Sequence, residues 1–260
     1  MSSLVTDRGV VHYETQGRGR PVILLHGWLE SWMPWLGTMQ ALGRTYKTYA
    51  LDFWGFGESG KQGGSFTVGD YVEMVDQFME RLGIECAPVI GHSMGGTVSL
   101  SLALNHTHRV EKVAVVGSPI VGDGLALFLR LAARRSLAGL AYNVPWGLSL
   151  GVRFASPFLA RDWQTWYRMF ENDLSRTTLE SFHFSIASLR DTDLRPRLQQ
   201  IQIPTLGIYG RIDRIVSPSQ RNVLADGVPM AQIRYFEDSG HFPMLDEPER
   251  FYQTLIEFLS

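Results

Sequence analysis

The stretch Pro88–Leu100, PVIGHSMGGTVSL, decides the fold. A short apolar run, Pro88-Val89-Ile90, passes through Gly91-His92-Ser93-Met94 directly into the helical pattern GGTVSLSLAL, which begins at Gly95. A plain strand-to-helix turn needs one glycine or one capping residue. Three glycines around one serine indicate something sharper. In Gly91-x-Ser93-x-Gly95 the serine is lifted off the end of the strand on a strained bend, and its neighbours two positions away give up their side chains to make room. The bend aims the Met94 amide and the helix N-terminus at whatever the hydroxyl meets, which favours a developing negative charge. Gly96 is expected to let the helix approach the strand closely. The same residues would also make an ordinary serine N-cap, so the reading depends on whether the chain supplies a base and a group to orient it.

Outward from this turn, strands and helices alternate. RPVILLHG, YKTYALDFWG, APVIGHS, VEKVAVVGS, TLGIYG and AQIRYFE are short apolar runs of the kind buried on both faces. GVVHYETQG alternates, which fits an antiparallel edge strand with one solvent face. TVGDYVEMVDQFMERLG carries Val68, Val72, Val75, Phe78, Met79 and Leu82 at helical spacing and closes on Gly83. Ser93–His106, Ser217–Asp226 and Glu247–Leu259 also read as helices. The fold class is therefore α/β, a mostly parallel sheet with helices on both faces. Alternation stops between Pro119 and Arg197, where only helical patterns rich in Leu, Arg and aromatics occur. Residues 1–118 and 198–260 are expected to form the core domain. Residues 119–197 are expected to form a helical insertion over the C-terminal ends of the strands, where open α/β sheets bind ligands. Within it, Ser136–Val152 carries no charge and approaches membrane-spanning length. Asn143, Pro145 and its glycines interrupt it and arginines flank it, so it reads as a lid or buried helix pair without stable membrane insertion.

Composition narrows the function. The chain has 260 residues, 45% hydrophobic and 19% charged, with net charge −2. That allows a sizeable core and gives no basic face for nucleic acid. The lone cysteine, Cys86, permits no internal disulfide. The N-terminus lacks the basic-then-apolar layout of a signal peptide, and a cytoplasmic location is expected. No Cys or His spacing implies a metal. GFGESG, Gly55–Gly60, matches a dinucleotide fingerprint, but KQGGSF follows it and cannot open the helix that such a fingerprint requires. No cofactor is expected, and the sequence is silent on oligomeric state.

Two residues can complete a site with Ser93. His241 lies in a glycine turn after the last strand, and Asp213 just past the strand TLGIYG. The order Ser93, Asp213, His241 is one in which a histidine takes the serine proton while an acid holds its tautomer. Asp123 is the second choice of acid, and Asp238 is too near His241 along the chain to reach its far ring nitrogen. A second amide for an oxyanion is expected at Trp28, just after His26-Gly27. An apolar substrate pocket is assigned to Trp32, Trp163, Trp166, Phe182 and Phe242, although core packing between insertion and sheet would use the same residues.

The segments HGW at 26–28, DFWGFGES at 52–59, GHSMGG at 91–96, YGRIDRIVSP at 209–218 and SGHFPMLDEPE at 239–249 together resemble the α/β-hydrolase superfamily over nearly the whole chain. The resemblance implies an eight-stranded sheet with a helical cap between strands six and seven. It also implies a Ser93–Asp213–His241 triad with the Trp28 and Met94 amides as oxyanion hole. The subgroups that look most similar are cap-bearing carboxylesterases and hydrolases of carbon–carbon bonds in ring-cleavage diketones. A serine at 93 sets the chain apart from the dehalogenases and epoxide hydrolases of this fold, which use an aspartate nucleophile. The carbon–carbon hydrolases carry small residues after the first HG, and a cap arginine for a substrate carboxylate. Here WLESWMPW follows, and the cap arginines are Arg153, Arg161, Arg168, Arg176 and Arg190. The expected activity is hydrolysis of a small-molecule ester with a hydrophobic acyl or aryl part. The alternatives are carbon–carbon hydrolysis, transfer to another acceptor such as peroxide, and a ligand-sensing protein without catalysis.

Overall fold

Six short apolar runs call for a sheet covered on both sides, although the last of them, AQIRYFE, keeps Gln232 and Arg234 exposed at the sheet's edge. The computed structural model, which describes residues 2–62, 65–134, 139 and 145–260, arranges them in that way. The strands are β1 (Ser2–Thr6), β2 (Gly9–Gly17), β3 (Arg20–Leu25), β4 (Tyr46–Leu51), β5 (Ala87–His92), β6 (Val110–Val116), β7 (Thr205–Gly210) and β8 (Ala231–Phe236). They form one sheet in the order β1-β2-β4-β3-β5-β6-β7-β8. Strands β3 to β8 run parallel, and β1 and β2 are antiparallel additions. The sequence places β2 at the edge, but β1 covers it, pairing Ser2 with Tyr13 through to Thr6 with Gly9. β1 escaped notice because five residues with one buried side chain carry too little pattern.

Parallel strands end on the same side. β3, β5, β6, β7 and β8 therefore deliver Gly27-Trp28, Ser93, Gly117, Asp213 and His241 to one edge of the sheet, with β5 between β3 and β6. On the flanks lie α1 (Leu36–Leu42), α2 (Val68–Arg81), α3 (Met94–Asn105), α8 (Gln220–Gly227), α9 (Pro243–Asp246) and α10 (Pro248–Leu259), taking the helices in chain order. A capping box of Thr67 and Asp70 starts α2, and Gly83 at φ 66° follows its end. α3 has almost no exposed side chain, since it packs behind β5 and β6.

Between β6 and β7 lie α4 (Leu127–Ala132), α5 (Pro145–Ala155), α6 (Trp163–Leu174) and α7 (Leu179–Asp191). The two legs of this segment meet: Val121 bridges Asp193, and the Gly122 amide donates to the Thr192 carbonyl at 2.9 Å. Leu125 bridges Val216 just beyond β7. α7 docks on the core through Phe182, Ile186 and Leu189 and through Ser181, whose hydroxyl donates to the Gly55 carbonyl at 2.9 Å. In the expected lid or helix pair of Ser136–Val152, residues 136–138 and 140–144 lie outside the described residues, and residues 145–152 begin α5. Among the described residues no helix is long and apolar enough to cross a membrane.

Candidate active site

The turn after β5 is built for closeness. Ser93 has φ 51° and ψ −119°, a conformation that costs a non-glycine residue roughly 1–3 kcal/mol. A Cβ on Gly91 would collide with the Gly95 backbone, one on Gly95 with the Leu25 and His26 carbonyls, and one on Gly96 with the Ser118 side chain. The Ser93 amide donates to the Val116 carbonyl at 2.8 Å, which ties the bend to β6. Met94 then opens α3, where first-turn N–H groups have no partner inside the helix.

Asp213 and His241 meet. Nδ1 of His241 lies 2.8 Å from Oδ2 of Asp213, and Oδ1 accepts the amides of Ile215 at 2.8 Å and Val216 at 2.9 Å. Both side chains are buried. With Nδ1 facing a carboxylate, the ring presents Nε2 as its remaining nitrogen. Behind the pair stands Gly117 at φ 54°, where a Cβ would press on the His241 ring and the Asp213 carboxylate. Asp246 holds the histidine loop by accepting the Gly240 amide at 2.8 Å and the Arg161 amide at 2.7 Å. The other acids stand apart: Asp123 and Asp238 are exposed, and Asp123 faces Arg130 at 3.5 Å.

Beneath the site lies a group that the sequence analysis passed over. Nδ1 of His92 is 3.0 Å from Oε2 of Glu30, and its Nε2 is 2.9 Å from the His241 carbonyl. Both partners are acceptors, so both ring nitrogens carry protons and His92 is an imidazolium. Glu30 Oε2 also accepts the Gly27 amide at 2.8 Å. One buried ion pair thus joins the loop after β3, the serine turn and the histidine loop. Burial alone would raise the Glu30 carboxyl, but the charge and hydrogen bond of His92 outweigh it and hold it below its usual range. Burial would lower His92, and Glu30 outweighs that to hold it above its ordinary value. The pair's stabilisation is therefore complete between about pH 4.5 and 6.5, the two unshifted values. Below that window it is lost as Glu30 protonates, and above it as pH passes the raised value of His92. Glu30→Ala is expected to cost about 3 kcal/mol near pH 6 and to flatten the decline above pH 6.5, as read by urea unfolding. An unchanged unfolding midpoint and pH profile would contradict this.

His26 fixes the neighbouring loop. Its Nε2 accepts the Phe53 amide at 2.9 Å and its Nδ1 donates to the Gly27 carbonyl at 2.7 Å, which defines a neutral ring whose pKa burial lowers. Since Gly27 N–H is taken by Glu30, the next amide in the turn is that of Trp28. The Trp28 indole donates to the Phe182 carbonyl at 3.1 Å and stands edge-on to its ring at 4.7 Å.

Ser93 and His241 both lie on the wall of a cavity of about 400 Å³ between the strand ends and α4 to α7. Of the residues assigned to a pocket from sequence, Trp166, Phe182 and Phe242 line it, together with Trp28. Trp32 and Trp163 are not on this wall. Trp32 lies partly buried against the core, with its amide donating to Asp52 at 2.7 Å. The glycines of GFGESG wrap Asp52 and meet α7: Gly57 leaves space that the Asp52 carboxylate fills, and Gly55 faces Ser181. None of the five cap arginines lines the cavity. Arg153 lies over the Tyr167 ring, Arg176 pairs with Glu58 and Arg190 with Asp191. Among the described residues no cluster of three or more His, Cys, Asp or Glu is placed to hold a metal.

A serine raised on a strained bend after β5, with a buried histidine–aspartate pair from the ends of the last two strands, defines a family as much as a site. Residues 20–248 match the model of the alpha/beta hydrolase fold, and the chain belongs to that family. It is 28% identical to the pimeloyl-[acyl-carrier protein] methyl ester esterase of Vibrio cholerae, over 96% of this chain and 98% of that one. It is 27% identical to the 2-hydroxy-6-oxo-6-phenylhexa-2,4-dienoate hydrolase of Comamonas testosteroni, over 96% of this chain and 91% of that one. Among solved structures, a hydrolase from Pseudomonas aeruginosa superposes with a TM-score of 0.88 at 23% identity, covering 100% of this chain and 98% of the other. An enol-lactonase from Burkholderia xenovorans superposes with a TM-score of 0.83 at 21% identity, covering 99% of each. At these identities the structures share the fold.

Proposed function

We propose that the chain hydrolyses carboxylic esters of small, hydrophobic substrates through an acyl-serine intermediate. One observation carries this reading: Ser93, on its strained bend, shares an apolar cavity with His241, whose Nδ1 is held 2.8 Å from Asp213. In the first half-reaction the Ser93 hydroxyl attacks the ester carbonyl carbon while His241 Nε2 takes its proton. The tetrahedral oxyanion accepts hydrogen bonds from the Trp28 and Met94 amides. It collapses as His241 returns the proton to the departing alkoxide, leaving the acyl group on Ser93 and releasing an alcohol. Water then repeats the sequence: His241 takes its proton, the acid departs, and Ser93 regains its hydrogen. Asp213 keeps the ring in the tautomer with Nε2 free and stabilises the imidazolium. The helices over the cavity act as a cap that keeps water from the apolar end of the substrate.

The relative from Comamonas testosteroni makes carbon–carbon hydrolysis the competing reading. Against it stand the bulky Trp28 directly after His26-Gly27 and a wall on which none of Arg153, Arg161, Arg168, Arg176 and Arg190 lies. A panel of p-nitrophenyl esters of graded acyl length, run beside one vinylogous diketone acid, separates the two. Turnover of the acetate and butyrate esters is expected, with little cleavage of the diketone acid. The reverse pattern would replace ester hydrolysis by carbon–carbon cleavage, and failure of a fluorophosphonate to label Ser93 would remove the acyl-enzyme altogether.

A further inference from the structure

Among the described residues the cavity wall is apolar except at four side chains: Ser93, His241, Glu30 and Asp173. The first two belong to the proposed chemistry, and Glu30 is engaged by His92 and the Gly27 amide. Asp173 has no role in either. It sits on α6, is 2% exposed, and accepts hydrogen bonds from the Ser31 hydroxyl and, at 3.0 Å, from the Asn172 amide. Among the described residues no arginine or lysine lies on the wall. A substrate carboxylate entering this space would be stripped of water, would meet a second carboxyl group and would find no cation among the described residues to pair with.

We propose that Asp173 is a specificity-determining residue of this cavity, which excludes substrates bearing a free carboxylate and admits esters whose distal end is neutral. The inference rests on the esterase reading and deepens it by naming the substrate class. Such a site is the converse of one that grips an acid tail with a cap arginine. Burial, with Asp52 and Glu30 nearby, raises the Asp173 carboxyl to about 7, against the hydrogen bonds from Ser31 and Asn172. Of those two neighbouring acids, Glu30 is matched by His92, and Asp52 by His12 at 2.8 Å. Discrimination should therefore strengthen as pH rises from 6 to 8.5 and Asp173 ionises. A ratio between two esters isolates this from any titration of the catalytic histidine, which the two share.

The test compares mono-p-nitrophenyl adipate, a free acid, with its methyl ester, which is neutral and slightly longer. The wild-type chain is expected to favour the neutral ester in kcat/KM by on the order of 100-fold at pH 8. Asp173→Asn should cut that preference by about tenfold, chiefly through the KM of the acid, and remove its pH dependence. An unchanged ratio in Asp173→Asn would overturn the proposal, whether or not overall activity falls, and so would a wild-type preference for the acid. Binding of dimethyl and monomethyl adipate to Ser93→Ala, followed by calorimetry, gives the same ratio without turnover. If no ester is hydrolysed and the dimethyl ester still binds tighter, the esterase reading fails and the selectivity stands. If neither binds, or both bind equally, the selectivity fails.

Discussion

Ser93→Ala should reduce turnover of p-nitrophenyl butyrate by roughly 10⁶-fold, the order seen when a triad nucleophile is removed, and abolish labelling by a fluorophosphonate. The loss is expected without loss of fold, because the Ser93 side chain makes no capping bond to α3 and its backbone bonds survive the change. A companion variant separates chemistry from architecture. At φ 51° and ψ −119° a glycine is at ease where serine is strained. Ser93→Gly should therefore be equally inactive and more stable than the parent by about 1 kcal/mol, measured by denaturant unfolding. Undiminished turnover in Ser93→Ala would discard the nucleophile. A glycine variant less stable than the parent would show that the bend is not strained by the residue that occupies it.

Asp213→Asn should lower kcat by about 10⁴-fold with little change in KM. The reason is a constraint on proton positions. Oδ1 accepts two backbone amides, from Ile215 and Val216, so an asparagine must turn its own oxygen toward them and its NH₂ toward His241. Nδ1 then becomes an acceptor, the proton moves to Nε2, and the ring can no longer take one from serine. Asp123→Asn should leave the rate unchanged, since its carboxylate is exposed beside Arg130. Should Asp123→Asn produce the large loss instead, the acid would have to be reassigned.

The parts of the molecule that could be read from sequence are those in which a local rule determines the outcome. β3 to β7 are largely apolar because both faces are covered, and the bend at Ser93 requires glycine at 91 and 95 because backbone fills the space a Cβ would take. α1 went unrecognised because its seven residues follow a stretch dominated by tryptophans, whose packing carries no helical period. Glu30 and His92 are 62 residues apart, and their contact depends on the two parallel strands β3 and β5 lying side by side. No spacing along the chain encodes that. Aromatic content marked the cavity region but could not tell Trp166, which faces inward, from Trp163 three positions earlier on the same helix, which does not line it. Asp173 was equally invisible, because nothing in the helical period of α6 marks this one acid as lining the cavity.

Under the proposed function, the bridge between Leu125 and Val216 would tie access to reactivity. Val216 is held on one side by the leg that carries the helical insertion, and on the other it gives its amide to Asp213. Any rotation of that leg is geared to the carboxylate that steadies His241. Attempts to widen the entrance by lengthening the segment between β6 and α4 should accordingly alter the turnover number as well as the size of molecule admitted. Remodelling α6, whose residues take no part in either bridge, offers a way to change what enters without slackening the acid.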